Sequence, residues 1–199
     1  MERRVTRVEE FVGYDEFEIK TTLHKLGVNK QSNDLNIALV KTPFYSESGG
    51  QVSDKGKLVI FDKEYTVKNV YKQRIDYIHE IEFDPFIEER FKNSKGESIE
   101  VYAKIDYPRR LSIQRNHSAT HILHEALRRV LGSHVKQMGS YLDDKVLRFD
   151  FPHFHKLNPQ EIIDIEQIVN DKVKENINVY AEEMSIDKAN KIPHVKKFF

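Results

Sequence analysis

The chain has 199 residues, 39% of them hydrophobic and 32% charged, with 32 basic side chains matched by 32 acidic ones. This is the composition of a globular chain with one large or two small domains, and its neutrality excludes the broad positive field of a dedicated nucleic-acid binder. The absence of cysteine excludes disulfides; the charged start "MERRVTRVEE" carries no signal-peptide core, and no apolar run nears the ~18–20 residues that span a bilayer, so a cytoplasmic protein without membrane contact is expected.

The first hundred residues read as strands. "FEIKTTLHKL" and "LNIALVKTPFY" are followed by "KLVIFD", "EYTVKNVY", "DYIHEIEF" and "SIEVYAKID", all rich in β-branched and aromatic residues and separated by polar or glycine-bearing turns. The spacing predicts a small β-barrel or sandwich over residues 1–105, with "EERFKNSKGES" as a long turn before the last strand. The pattern changes at "DYPRR": Pro108 disfavours helix at Tyr107, and a helical period runs from about Leu111 to Leu131, where Gly132 is a stop signal. "HVKQMGSYL" and "KVLRFDF" are strand candidates joined by a turn at Asp143–Asp144, and the first of them places Gln137 in a strand. "NPQEIIDIEQIVNDKVKEN" is an amphipathic helix with Asn158 as cap, Pro159 at its first position and a stripe of Ile162, Ile165, Ile168, Val169 and Val173. "INVYAEEMS" reads as another strand and "IDKANK" as a short helix. The expected fold class is α+β: an N-terminal small β-barrel, then an α+β subdomain over 106–199 with helices packed on an antiparallel sheet.

Residues 112–131 divide into two faces at about 100° per residue. Ala119, Ile122, Leu123, Ala126, Leu127 and Val130 form one, the expected core face; His117, Thr120, His121, His124 and Arg128 form the other. That second face is either an ordinary solvated stripe or a site, since the H-x-x-x-H spacing of His117 and His121 can seat one metal ion between two imidazoles. Arg109, Arg110, Arg115, Arg128 and Arg129 flank the helix as a local basic cluster suited to an anionic ligand. In "ESGGQVSDKG", Gly49 and Gly50 are either a plain hairpin turn or a backbone that lets a ligand come close.

Taken together, "EFVGYDEFE", "KTPFYSESGGQVSDKG", "DYPRRLSIQRNHSATHILHEALRRVLGSHVKQMGSYLDDKVLRFDF" and "EEMSIDKANK" resemble the editing domain of alanyl-tRNA synthetases, over nearly the whole chain. Free-standing AlaX-type trans-editing proteins and the editing region of threonyl-tRNA synthetases are similar, but the former usually begin differently and the "ESGGQVSDKG" turn favours the alanyl family. The resemblance implies hydrolysis of the aminoacyl ester of Ser-tRNA(Ala) or Gly-tRNA(Ala). Such a site is needed because a pocket for alanine rejects glycine or serine by only about 10–200-fold. It further implies Zn2+ on His117 and His121, completed in the family by a later Cys-x-x-x-His pair that is absent here, so the chain is expected to be a piece of a synthetase that holds zinc weakly or not at all. Gln137 matches a position lining the editing pocket, and Thr120 is a candidate for sensing the serine hydroxyl. Gly49, Gly50, Gln51 and Arg115 are the candidate substrate-binding residues. The expected partners are the aminoacylated 3′ end of tRNA(Ala) and the remainder of the synthetase. His124, His134, His153, His155 and His194 receive no metal role. The competing reading is a non-catalytic module that positions a tRNA acceptor end with its arginines.

Overall fold

Strict alternation of apolar and polar side chains builds the first half of the chain. In a computed structural model describing residues 10–94, 96–179, 182 and 184–193, Ile99, Val101, Ala103 and Ile105 point inward from one strand while Glu100 and Lys104 point out, as the two-residue period of a strand requires. The strands are β1 (Glu10–Phe11), β2 (Glu18–Val28), β3 (Leu35–Leu39), β4 (Lys41–Thr42), β5 (Gly56–Ile60), β6 (Lys63–Val67), β7 (Asn69–Gln73), β8 (Asp76–Ile81) and β9 (Ile99–Ile105). Seven of them form one curled antiparallel sheet in the order β6-β5-β9-β2-β3-β8-β7, and β1 pairs with β4 in parallel. The core of this sheet holds Leu35, Ile37, Leu39, Phe44, Leu58, Ile60, Val67 and Ile81, all fully buried. The α+β class is therefore present.

Two local expectations change here. The single strand expected over "EYTVKNVY" is two, β6 and β7, broken at Lys68, whose N–H donates to Glu80 O at 2.8 Å. The "EERFKNSKGES" turn is largely a helix, α1 (Pro85–Asn93). Asp84 caps it by accepting from Phe86 N, Pro85 opens it, and Ile87 is buried with Phe91 one turn later packed on the same core. A capped first turn and two apolar anchors at i and i+4 are enough to override a polar sequence.

The second half contains α2 (Tyr107–Leu131), β10 (Gly139–Leu142), β11 (Leu147–Asp150), α3 (Pro159–Lys174) and α4 (Ile186–Ala189). Helix α2 begins at Tyr107, four residues earlier than expected, because Asp106 Oδ1 accepts from Arg109 N and Pro108 sits in the first turn, where no backbone donor is needed. It stops at Gly132, which has φ 115 and donates to Arg128 O, a left-handed end that glycine adopts without strain. At α3 the Asn158 side chain accepts from Glu161 N while the Glu161 carboxylate accepts from Asn158 N, a complete capping box. The strand expected over 177–185 falls partly on residues outside the described ones, as does His194.

The chain forms two compact units. One runs to His117 and takes in Tyr141–Leu147; the other takes in Ser118–Ser140 and the residues from Arg148 on. The second unit has its own core of Ala126, Leu127, Val135 and Ile165, with Leu123, Val130, Phe149, Phe151, Ile168 and Val169 packed on it. Its helix α3 leaves Ile162 and Val173, two residues of the expected apolar stripe, exposed.

Candidate functional site

In the first unit the glycine turn and the start of the histidine helix come together. Gly49 and Gly50 have φ of 60 and 83, and Ser48 and Gln51 exchange backbone hydrogen bonds across them. Two consecutive positive φ values define a turn that glycine forms readily. Gly50 O then accepts from Leu142 N and Leu142 O from Val52 N, so the turn is stitched to the β10 end. Gln51 is 4% exposed, and its side-chain oxygen lies 2.8 Å from His117 Nδ1. An amide oxygen only accepts, so His117 carries its proton on Nδ1 and presents a lone pair at Nε2. That is the tautomer a metal ligand or a general base needs. The neighbouring Asn116 donates from Nδ2 to Asp143 O. Asp143 itself receives the Val146 and Lys145 N–H groups, which hold its carboxyl below the usual range.

Beside this turn the helix is locked to the following loop by Arg110. Its guanidinium meets the Asp54 carboxylate with both side chains almost completely buried, and also donates to Gly13 O and Pro43 O. Asp54 further accepts from Tyr45 N at 2.8 Å. Arg109 donates to Ser53 O and Asp144. In the second unit Arg128 donates to Ser133 O and Val135 O, and Arg129 pairs with Glu125. The arginines read as one basic cluster are thus mostly committed to holding the fold, while Arg115 is exposed.

The second unit corrects the reading of the histidine face. Thr120 and His124 are 5% and 7% exposed, with the His124 ring 5.0 Å from that of Phe149, whereas His121 is exposed. The angular plot separates two faces but does not say which neighbours cover them, and here β11 covers part of the polar one. His121 lines a cavity of about 260 Å³ with Ile122, Glu125, Arg129, Ile168 and Lys172. Gln137 precedes β10 rather than lying in a strand, because pairing starts only at Gly139; its amide donates to Ser140 Oγ at 3.0 Å. A cavity of about 660 Å³ in the first unit, lined by Lys20, Phe61, Arg90 and Tyr102 among others, contains none of the motif residues, so volume does not mark the site.

His117 and His121 suit zinc in donor type, but two imidazoles are short of the three or four protein ligands a zinc site takes. Among the described residues, the group of three that could hold a metal ion is elsewhere: His153, His155 and Glu161. His153 and His155 were expected to have no metal role; the signal available in the sequence was the H-x-H pair followed by an acidic capping residue.

Comparison with known proteins adds the following. The family tRNA synthetases class II (A) matches residues 1–108. The alanine–tRNA ligase of Fusobacterium nucleatum is 40% identical over 187 residues, 93% of this chain and 20% of its own length. That of Acetivibrio thermocellus is 42% identical over 193 residues, 92% of this chain and 21% of its own length. The chain spans about a fifth of the length of these curated relatives. No helix among the described residues is long and apolar enough to cross a membrane.

Proposed function

The chain belongs to the tRNA synthetases class II (A) family, and on that premise we propose that it is the editing portion of an alanine–tRNA ligase. In this reading it hydrolyses the aminoacyl ester of Ser-tRNA(Ala) or Gly-tRNA(Ala), releasing the amino acid and intact tRNA. The observation that carries the proposal is the Gln51–His117 contact. It joins the glycine turn and the histidine helix, two motifs that the resemblance named independently.

Hydrolysis requires water to attack the ester carbonyl, the bond to the ribose oxygen to break, and a proton to reach that oxygen. In this reading His117, carrying its proton on Nδ1, would use Nε2 to bind a metal or take a proton. Gly49 and Gly50 leave room for the ribose-phosphate backbone, and exposed Arg115 gives it a cation. Zinc on His117 and His121, with ligands supplied in addition to these two, would polarise the carbonyl or a water. Thr120, being buried, meets a serine hydroxyl only if that hydroxyl enters the interior; Gln137 is the more accessible polar group.

The test is release of serine from Ser-tRNA(Ala) by an alanine–tRNA ligase containing this segment, beside its His117→Ala and His121→Ala variants. Each variant is expected to lose at least about 100-fold in rate. Unchanged hydrolysis in both would sink the assignment. Parallel measurement with Ser-tRNA(Thr) separates the alanyl from the threonyl reading. Salt-dependent tRNA binding without any hydrolysis would instead favour the non-catalytic module.

A further inference from the structure

The second unit brings together three side chains of metal-ligand type that the proposed editing reaction does not use. Between β11 and α3 the chain reads "FPHFHKLNPQE", and one ring nitrogen each from His153 and His155 and one carboxylate oxygen from Glu161 lie within 4.8 Å of one another. Each of the three is already oriented. His155 Nδ1 lies 3.0 Å from Lys156 O and donates to it, which leaves the lone pair on Nε2. The Glu161 carboxylate is held by Asn158 N at 2.8 Å through the capping box, and only one of its oxygens is engaged in that contact.

His153 supplies the independent observation. Its Nδ1 is 2.9 Å from His134 Nε2, and its own Nε2 is buried without any hydrogen-bond partner. Buried polar nitrogens are nearly always satisfied, so this one calls for a ligand. When His153 donates from Nδ1 to His134, its Nε2 offers an unshared pair, which a metal cation can take up. The His134 and His153 rings are nearly parallel, 17° apart, and the Phe154 ring lies tilted against His134 at 4.7 Å.

We propose that His153, His155 and Glu161 form a binding site for a divalent transition metal of the zinc class, with His134 fixing the His153 tautomer. Two imidazoles and a carboxylate are a ligand set that zinc accepts, with a fourth position left to water or an anion. Ligands at about 2.0–2.1 Å from a tetrahedral ion stand roughly 3.4 Å apart. The three ligand atoms lie within 4.8 Å of one another, and closing them to that value calls for side-chain rotation at His155, which is exposed. The ligand set shares no residue with His117 and His121, so its fate is independent of the editing proposal.

The experiment is a titration of the chelator-treated 199-residue chain with Co2+, followed by its visible absorption, and with Zn2+ in competition against a chromophoric chelator. The expected result is an equivalent of Co2+ with nitrogen and oxygen ligation. That binding should weaken at least about tenfold in His155→Ala and in Glu161→Gln and stay unchanged in His121→Ala. Glutamine at position 161 preserves the capping box, and His155 is exposed, so both variants keep the fold; circular dichroism checks this. Absence of Co2+ and Zn2+ binding, binding unaltered in both His155→Ala and Glu161→Gln, or binding abolished by His121→Ala would each overturn the proposal.

Discussion

The side-chain oxygen of Gln51 lies 2.8 Å from His117 Nδ1 and fixes which nitrogen of that imidazole carries the proton. The glutamine is almost fully buried and sits on a turn of two left-handed glycines, so its reach is set by backbone rather than by side-chain choice. A histidine on the surface of a helix thereby acquires a defined tautomer from a loop on another element.

Replacing Gln51 tests this. Gln51→Ala is expected to slow Ser-tRNA(Ala) hydrolysis by about 10–100-fold, the usual effect of removing a residue that orients a functional histidine. Gln51→Glu, which keeps an acceptor oxygen in place, should retain most of the rate. Single-turnover deacylation by the ligase carrying each change reads the difference, and equal rates in all three would deny the glutamine this role.

Arg110 and Asp54 form a buried ion pair with further backbone partners. Breaking such a pair leaves an uncompensated charge inside the protein, so Arg110→Leu is expected to cost about 3–5 kcal/mol. The double variant with Asp54→Leu should lose less than the sum of the two single losses. Urea denaturation of the three proteins gives these values directly.

His79 makes stability depend on pH. It is fully buried on β8, with Nδ1 3.0 Å from Ile37 O and Nε2 2.7 Å from Thr42 Oγ1. Burial pushes its pKa down from 6.5 to about 4, against the opposing pull of the Ile37 and Tyr77 carbonyls. Between those values the unfolded chain binds the proton and the folded chain does not. Its contribution is therefore full above pH 6.5 and falls with decreasing pH by up to about 1.4 kcal/mol per unit. The slope vanishes below the folded value. Urea midpoints across this window should show that slope, and His79→Gln should flatten it while lowering stability at neutral pH.

The glycines of "ESGGQVSDKG" should respond differently to alanine. A Cβ on Gly56 would stand 2.2 Å from Lys104 O and 2.7 Å from Ile105 Cα, inside the β5–β9 ladder. Gly56→Ala is expected to destabilise by at least about 1–3 kcal/mol. Gly49 has open space around it, so Gly49→Ala meets only the backbone cost of its positive φ, about 1–2 kcal/mol. Thermal denaturation ranks them.

Local signals were legible where they were also decisive. Asn158, Pro159 and Glu161 announce the start of α3, and Gly132 announces the end of α2, because caps act within a few residues of the chain. Helix α1 was hidden by Glu88, Glu89, Arg90 and Lys92, whose solvated character outweighs Ile87 and Phe91 in any reading by periodicity. The burial of Thr120 and His124 could not be read from helical angles, since Phe149 arrives from a separate strand. The Gln51–His117 contact joins residues 66 positions apart, and no local pattern encodes it. His153 and His155 stand in an irregular segment without a period, so the side chain that completes their group, Glu161, looked only like a capping residue.

Arg110 also reaches Gly13, 97 positions earlier in the chain, so the start of the histidine helix is held by segments far apart in sequence. Such loops cost entropy to close before any contact compensates them. During synthesis, His117 would emerge 66 residues after Gln51 as an imidazole in tautomeric exchange, and it would become a single species only when the glycine turn and the helix had met. The chemistry of this residue is then a late product of folding, and an assay of its tautomer by nitrogen NMR would serve as a clock for the completion of the fold.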